Sequence, residues 1–290
     1  MIMHLAVYPT AAAYLAKTQV ALERNEVANN LMLGTCLRLV EGANPWGNDP
    51  PYLVTVTEGD ALVAAASMTP PFNLVVFNEH SEQEEARPAF TMIACDLLDR
   101  QQRVPGVNGP AVLSQAFAQI WGELTATKPQ TKRSLRAFEL RQIIHPIYPP
   151  GQLRIANLDD LTLLTAWRIA FTTEVADQPQ KPEQVAEGVQ HGIEAGSYFF
   201  WDHQGAVALA AKTRPTPHGI AIGPVYTPPE QRNRGYASAL VAALSQRLLA
   251  EGYQFCTLFT DQANPTANSI YQKIGYRSVC DFVEYEFEHR

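Results

Sequence analysis

No apolar run in this 290-residue chain comes near the roughly 20 residues that cross a bilayer. The longest, such as residues 61–66, are far shorter, so neither a transmembrane helix nor a membrane partner is expected. Residues 1–10 hold no basic segment followed by an extended apolar one, and a cytoplasmic protein is therefore expected. Basic charge is also short. With 22 Lys and Arg against 29 Asp and Glu, the formal net charge is −7. That balance disfavours nucleic acid as a partner, because phosphate backbones are met by basic surfaces. The four cysteines, Cys36, Cys95, Cys256 and Cys280, form no C-x-x-C pair and have no histidines at zinc-finger spacing. Neither a disulfide framework nor a metal site is expected, and the thiols read as buried and reduced. A catalytic thiol is not excluded by sequence; Cys280 is nearest the motifs below, in β-rich sequence that suits a packed strand position.

What the chain does have is apolar bulk. Hydrophobic residues make up 46% and charged ones 18%, enough for a sizeable core and too apolar for disorder. The length suggests two domains. The clearest break is residues 147–152, IYPPGQ, where two prolines block regular hydrogen bonding, giving domains over 1–147 and 152–290. After it come a strand over 153–155, an Asn157 N-cap with acidic residues in the first turn, and an apolar helix over 161–171. A hairpin over 197–213 turns at residues 202–205, and a strand over 219–226 follows. Apolar residues at 237, 240, 241, 244 and 248 predict a helix with one buried face over 235–251, closed by Gly252. A strand over 255–260, a short helix over 266–273 and a strand over 279–287 complete an alternating α/β layer fold. The first half reads as helical runs over 11–39, a hairpin over 52–56 and 61–68, a strand near 72–77, a helix over 110–124 and a strand over 134–144. The parallel order suggests a divergent structural duplication.

Two segments carry chemistry. In residues 223–240, GPVYTPPEQRNRGYASAL, a strand runs through Pro228-Pro229 into a Gln/Arg/Gly loop and then the amphipathic helix. Successive loop amides, the orphan N–H groups of the helix start and the helix dipole together favour an anion. Gly235 permits a positive φ or close approach, Ala237 leaves room, and Arg232 and Arg234 supply charge-assisted donors. About thirty residues on stands the second segment, residues 264–276, NPTANSIYQKIGY.

In this order and spacing the pair resembles the acyl-CoA signature of the GNAT N-acetyltransferase superfamily, R/Q-x-x-G-x-G/A followed by N-x-x-A-x-x-x-Y-x-x-x-G-F/Y. The resemblance covers about residues 152–290 and weakens before Tyr148. It implies two GNAT-like α/β domains, each a mixed, mostly antiparallel central sheet flanked by helices, the first a degenerate copy. It implies acetyl-CoA as co-substrate, with no metal required. Backbone groups of Val225, Tyr226 and Thr227 would pair with the pantetheine arm as an added strand. The loop of Arg232, Asn233, Arg234, Gly235, Tyr236, Ala237 and Ser238 would hold the pyrophosphate. Asn264 and Asn268 would bond the pantetheine or its phosphate, and Tyr271 would act as general acid toward the leaving thiolate.

The expected function is transfer of an acetyl or other short acyl group from CoA to the primary amine of a small molecule or peptide, by direct sequential reaction. The rival readings are a non-catalytic acyl-CoA sensor and an aminoacyl-tRNA-dependent transferase, the latter disfavoured by the net charge. Glu174 and Asp261 are candidate bases, each reading first as a surface or capping carboxylate. His191, His203 and His218 suit the chemistry but lie near glycines, as in surface loops. In the first half no Arg-x-x-Gly-x-Ala precedes the helix at 110, where VPGVNGP stands instead, so no second cofactor seat is expected. The sequence leaves the acceptor and the oligomeric state open.

Overall fold

A computed structural model describes residues 2–42, 49–80, 82–144, 148–176 and 181–288. Ile147, where the expected boundary begins, lies outside the described residues. Contacts divide the chain into two compact units that are discontinuous in sequence. The first comprises Met1–Phe138, Phe259–Asn264 and Ser278–Arg290, the second Glu139–Leu258 and Pro265–Arg277. A single cut near residue 150 therefore does not coincide with the compact units.

The first unit runs β1 (Met3–Val7), α1 (Ala11–Glu23), α2 (Glu26–Val40), β2 (Tyr52–Glu58), β3 (Ala61–Met68), β4 (Leu74–Asn78), α3 (Gln83–Asp99), β5 (Gly106–Pro110), α4 (Ala111–Thr125) and β6 (Gln130–Leu140). The second runs β7 (Gln152–Ile155), α5 (Leu161–Ala176), α6 (Pro182–Glu194), β8 (Tyr198–Asp202), β9 (Ala206–Thr213), β10 (Gly219–Tyr226), α7 (Tyr236–Ala250), β11 (Phe255–Asp261) and α8 (Pro265–Ile274), followed by β12 (Arg277–Glu286). The order of strands and helices is the same in both runs, as a duplication requires. In each, the fourth and fifth strands pair parallel, β4 with β5 and β10 with β11, and the strand–strand pairs before them are antiparallel. The sheet is thus mixed and mostly antiparallel.

The last strand breaks the symmetry. It joins the first unit, antiparallel to β5 with Phe282 opposite Pro110 and Glu286 opposite Gly106, and lies beside β6. Charge fastens it there: Arg136 binds Asp281, Arg133 binds Glu284, and Lys132 pairs with Glu286. Phe282 packs edge-on against Phe259 with ring centroids 4.9 Å apart.

The first unit has one apolar core around α3 and α4, with Phe90, Phe117 and Trp121 inside, and another around α1 and α2. Helix α3 is absent from the sequence expectation. Its buried residues, Ala86, Ala89, Phe90, Ile93, Ala94 and Leu97, keep helical spacing, but Pro88 and a glutamate-rich start mask it. Strands β1 and β5 and helix α6 are likewise additions. In the second unit Arg154 joins the start of α5 to the sheet, donating to both carboxylate oxygens of Asp160 at 2.7 and 2.9 Å and to Asp202 at 3.0 Å. Of the thiols, Cys36 and Cys256 are buried, Cys280 is half-buried, and Cys95, expected inside, is exposed on α3. Burial pushes the Cys36 and Cys256 thiols up to about 12.

Candidate functional site

Strand β10 supplies the floor. Its parallel pairing with β11 holds Gly219 to Phe255, Ile220 to Cys256 and Ala221 to Thr257, and stops there. Gly219 is required for that approach, since a Cβ would lie 2.2 Å from the Phe255 ring. Beyond it the pairing of β10 with β9 slips between Ile222 and Val225 before resuming at Val225 and Tyr226. A bulge of this kind bends a strand and disrupts its ladder, so the end of β10 leaves its parallel neighbour. Thr227 Oγ1, just past the strand, is buried without a hydrogen-bond partner. Buried polar atoms are nearly always partnered, so this one is an exception that a ligand would remove.

The loop after β10 forms the anion seat. A 3-10 turn at Pro229–Gln231 leads to Asn233 and Gly235, both left-handed with φ of 62° and 80°. Gly235 is the N-cap of α7, and no side chain caps the helix there. The α-helical ladder opens with the Ala239 amide donating to Gly235 O at 3.0 Å. The first-turn amides of Tyr236, Ala237 and Ser238 therefore point outward along a 15-residue helix, with the positive end of its dipole behind them. A Cβ on Gly235 would meet nothing closer than Pro149 at 4.0 Å, so backbone conformation rather than crowding calls for glycine.

Two details depart from the sequence expectation. The Arg232 amide donates to Pro229 O at 3.3 Å, which leaves the usable loop amides to begin at Asn233. The Arg232 guanidinium is also engaged: Nε donates to Thr227 O at 2.9 Å, and Nη2 reaches both oxygens of Glu174 at 2.8 Å. Glu174, offered as a base, is thereby an ion-pair partner near the end of α5. Asp261, the other candidate, accepts the Ala263 amide at 2.7 Å and so closes the turn that follows β11.

Helix α8 carries Asn268 and Tyr271, and its own preceding residue Asn264 belongs by contacts to the first unit. The helix is tied to α7 at its far end, where Tyr276 Oη and Ser245 Oγ are 2.8 Å apart. Tyr271 is buried and meets Tyr276 edge-on, ring centroids 5.9 Å apart. Burial pushes its phenol up to about 12. His191 lies on α6 rather than in a loop, whereas His218 precedes β10. His203 turns the β8–β9 hairpin, its ring centroid 6.1 Å from that of Tyr236 at the start of α7, a proximity that sequence spacing could not reveal. Among the described residues no group of three or more His, Cys, Asp or Glu could hold a metal. No helix there is long and apolar enough to cross a membrane.

Solved structures show the fold. An acetyltransferase of the GNAT family from Colwellia psychrerythraea is similar over 98% of this chain and 100% of its own, at 13% identity and a TM-score of 0.63. A GCN5-related N-acetyltransferase from Sphaerobacter thermophilus is similar over 98% and 94%, at 15% identity and 0.64. A tandem GNAT protein from the clavulanic acid biosynthesis pathway is similar over 98% of both chains, at 13% identity and 0.59. The chain has the GNAT fold, as its two motifs implied. In sequence, residues 202–285 match the family model described as FR47-like protein, a span that includes the whole β10–loop–α7 segment and α8. No curated protein matches the sequence.

Proposed function

We propose that the second unit binds acetyl-CoA and transfers its acetyl group to a primary amine. The observation that carries this reading is the uncapped N-terminus of α7 beneath a loop with two left-handed residues, at the end of a strand that has left its parallel partner. The amides of residues 233–238 hold the pyrophosphate, with Arg234 adding charge. Backbone groups on the outer edge of Val225, Tyr226 and Thr227 are assigned to the pantetheine amides by their place in the motif, and Thr227 Oγ1 gains a partner. Asn268 serves the arm by its place in the motif.

In the reaction the unprotonated amine attacks the thioester carbonyl, the C–S bond breaks, and the products are an N-acetyl amine and CoA thiol. The amine loses one proton and the departing sulfur gains one. Tyr271 is assigned to that sulfur by its place in the motif. Its phenol, pushed up to about 12, is protonated at neutral pH and acts as general acid, giving its proton to the departing sulfur and regaining one from solvent, to which the amine loses its own. The acceptor is a small molecule or peptide, and the fold names no particular one.

A second reading, acyl-CoA binding without turnover, is favoured by one observation. Both carboxylates considered as bases are engaged, Glu174 by Arg232 and Asp261 by the Ala263 amide. Thiol release from acetyl-CoA with a panel of amines separates the two, as a sensor releases none.

The binding itself is tested by calorimetry with acetyl-CoA. The parent is expected to bind in the micromolar range and Gly235→Asp, which puts a carboxylate in the seat, to show no binding while its circular dichroism is unchanged. Equal affinity in the two proteins sinks the site.

A further inference from the structure

The Glu174–Arg232 pair lies at the rim of the seat and belongs to neither the amide cradle nor the acyl-transfer chemistry. Arg232 is the first residue of the loop motif, yet its guanidinium lies back along the end of β10, with its central carbon 5.9 Å from the Tyr226 ring centroid. Glu174 is in the last turn of α5, a helix far from the loop in sequence and fastened to it by this pair. Burial, and after it the Glu174 charge, raise the Tyr226 phenol, so the carboxylate acts on the strand that floors the seat. Both partners are nearly half exposed, which keeps the pair open to exchange with a dissolved anion.

We infer that Glu174 is a positioning residue that competes with the phosphates of the co-substrate for Arg232, so that cofactor binding releases the end of α5 from the loop. The inference rests on the acyl-CoA reading above. Its physical basis is that one guanidinium cannot give the same N–H groups to two anions. With Nε held by Thr227 O, a phosphate that takes Nη2 breaks both bonds to Glu174, whereas one held through the two N–H groups of Nη1 alone leaves them in place and gives no coupling. A diphosphate offers the larger charge and the better acceptors, while Glu174 holds the guanidinium in place when the seat is empty. The affinity of the protein for CoA is then lowered by the strength of the internal pair. For a surface ion pair of about 0.2–1 kcal/mol this is roughly 1.5- to 5-fold.

The test is a double-mutant cycle on CoA affinity by calorimetry at low salt, with parent, Glu174→Gln, Arg232→Gln and the double variant, all full-length. Glu174→Gln is expected to tighten CoA about 2- to 5-fold in the parent background and by less than 1.5-fold once Arg232 is Gln. Hydrogen exchange over residues 168–176 supplies the second readout. CoA should speed exchange there in the parent and leave it unaltered in Glu174→Gln, where the segment is already released. Equal tightening in both backgrounds would mean simple charge repulsion and overturn the competition, as would an unchanged affinity for Glu174→Gln. A parent that binds no CoA overturns the acyl-CoA reading together with this one, which separates the two failures.

Discussion

Tyr271 illustrates what one side chain receives from its surroundings. A tyrosine in water loses its proton near pH 10, but here burial against Tyr276 raises that to about 12. The phenol is then a donor through neutral pH. Tyr271→Phe keeps the ring and removes the donor, so CoA affinity is expected within a few-fold of the parent and turnover lower by about 10²–10⁴. Since the phenol does not titrate below pH 10, the variant's pH–rate profile should keep the parent's shape at reduced height. An unchanged turnover number on an identified acceptor rules the role out. The same desolvation removes Cys36 and Cys256 from consideration as nucleophiles, because only the thiolate reacts.

At the scale of elements, two attachments decide which segments dock where. Arg154 holds Asp160, and its hydrogen bonds keep that carboxylate below its usual range. A lowered folded-state value means stabilisation that is present above the ordinary pKa of about 3.9 and lost as pH falls through the folded one. Asp160→Asn should therefore lower Tm at pH 7 and narrow its deficit as both proteins are taken toward pH 3; a deficit independent of pH excludes the ion pair as its source. The second attachment is β12. Phe282 is 2% exposed, and Phe282→Ala should cost about 3–5 kcal/mol in urea unfolding of the first unit, from lost transfer and cavity. A loss below 1 kcal/mol shows that the strand is held by its ladder and charges alone.

Over the whole molecule the order of elements is repeated and the residues of the cofactor loop are not. By element order the counterpart of α7 is α3, and the counterpart of the cofactor loop is the turn after β4. Residues 104–110, the segment before the helix at 110, run into α4, whose counterpart is α8. Where the second unit has Arg232, Arg234 and Gly235, the first has Glu79 and Glu82, then Glu84 and Glu85 in the first turn of α3. Glu79 is paired with Arg24, and His80 lies 3.5 Å from Glu85. Carboxylates at a helix N-terminus satisfy its dipole and repel a diphosphate. Titration of CoA into the intact chain should give one site per chain, abolished by Gly235→Asp. A second site surviving that substitution would falsify the assignment of the first unit as cofactor-free.

The sequence by itself made the proposed phosphate seat legible, because such a seat is built from contiguous chain. Residues 223–240 and 264–276 hold the strand end, the left-handed glycine, the helix start and the tyrosine within two short stretches, so local geometry follows from order alone. It also determined the hairpins and α7, whose periodicity is undisturbed. Helix α3 was hidden by Pro88 although its apolar spacing is intact. Only the tertiary structure decided three things: that β12 leaves α8 to pair with β5, that Glu174 and Arg232 meet across 58 positions, and that Tyr271 is dry enough to keep its proton. Each depends on residues distant in sequence that compete for a neighbour or for water, and that competition is settled by packing.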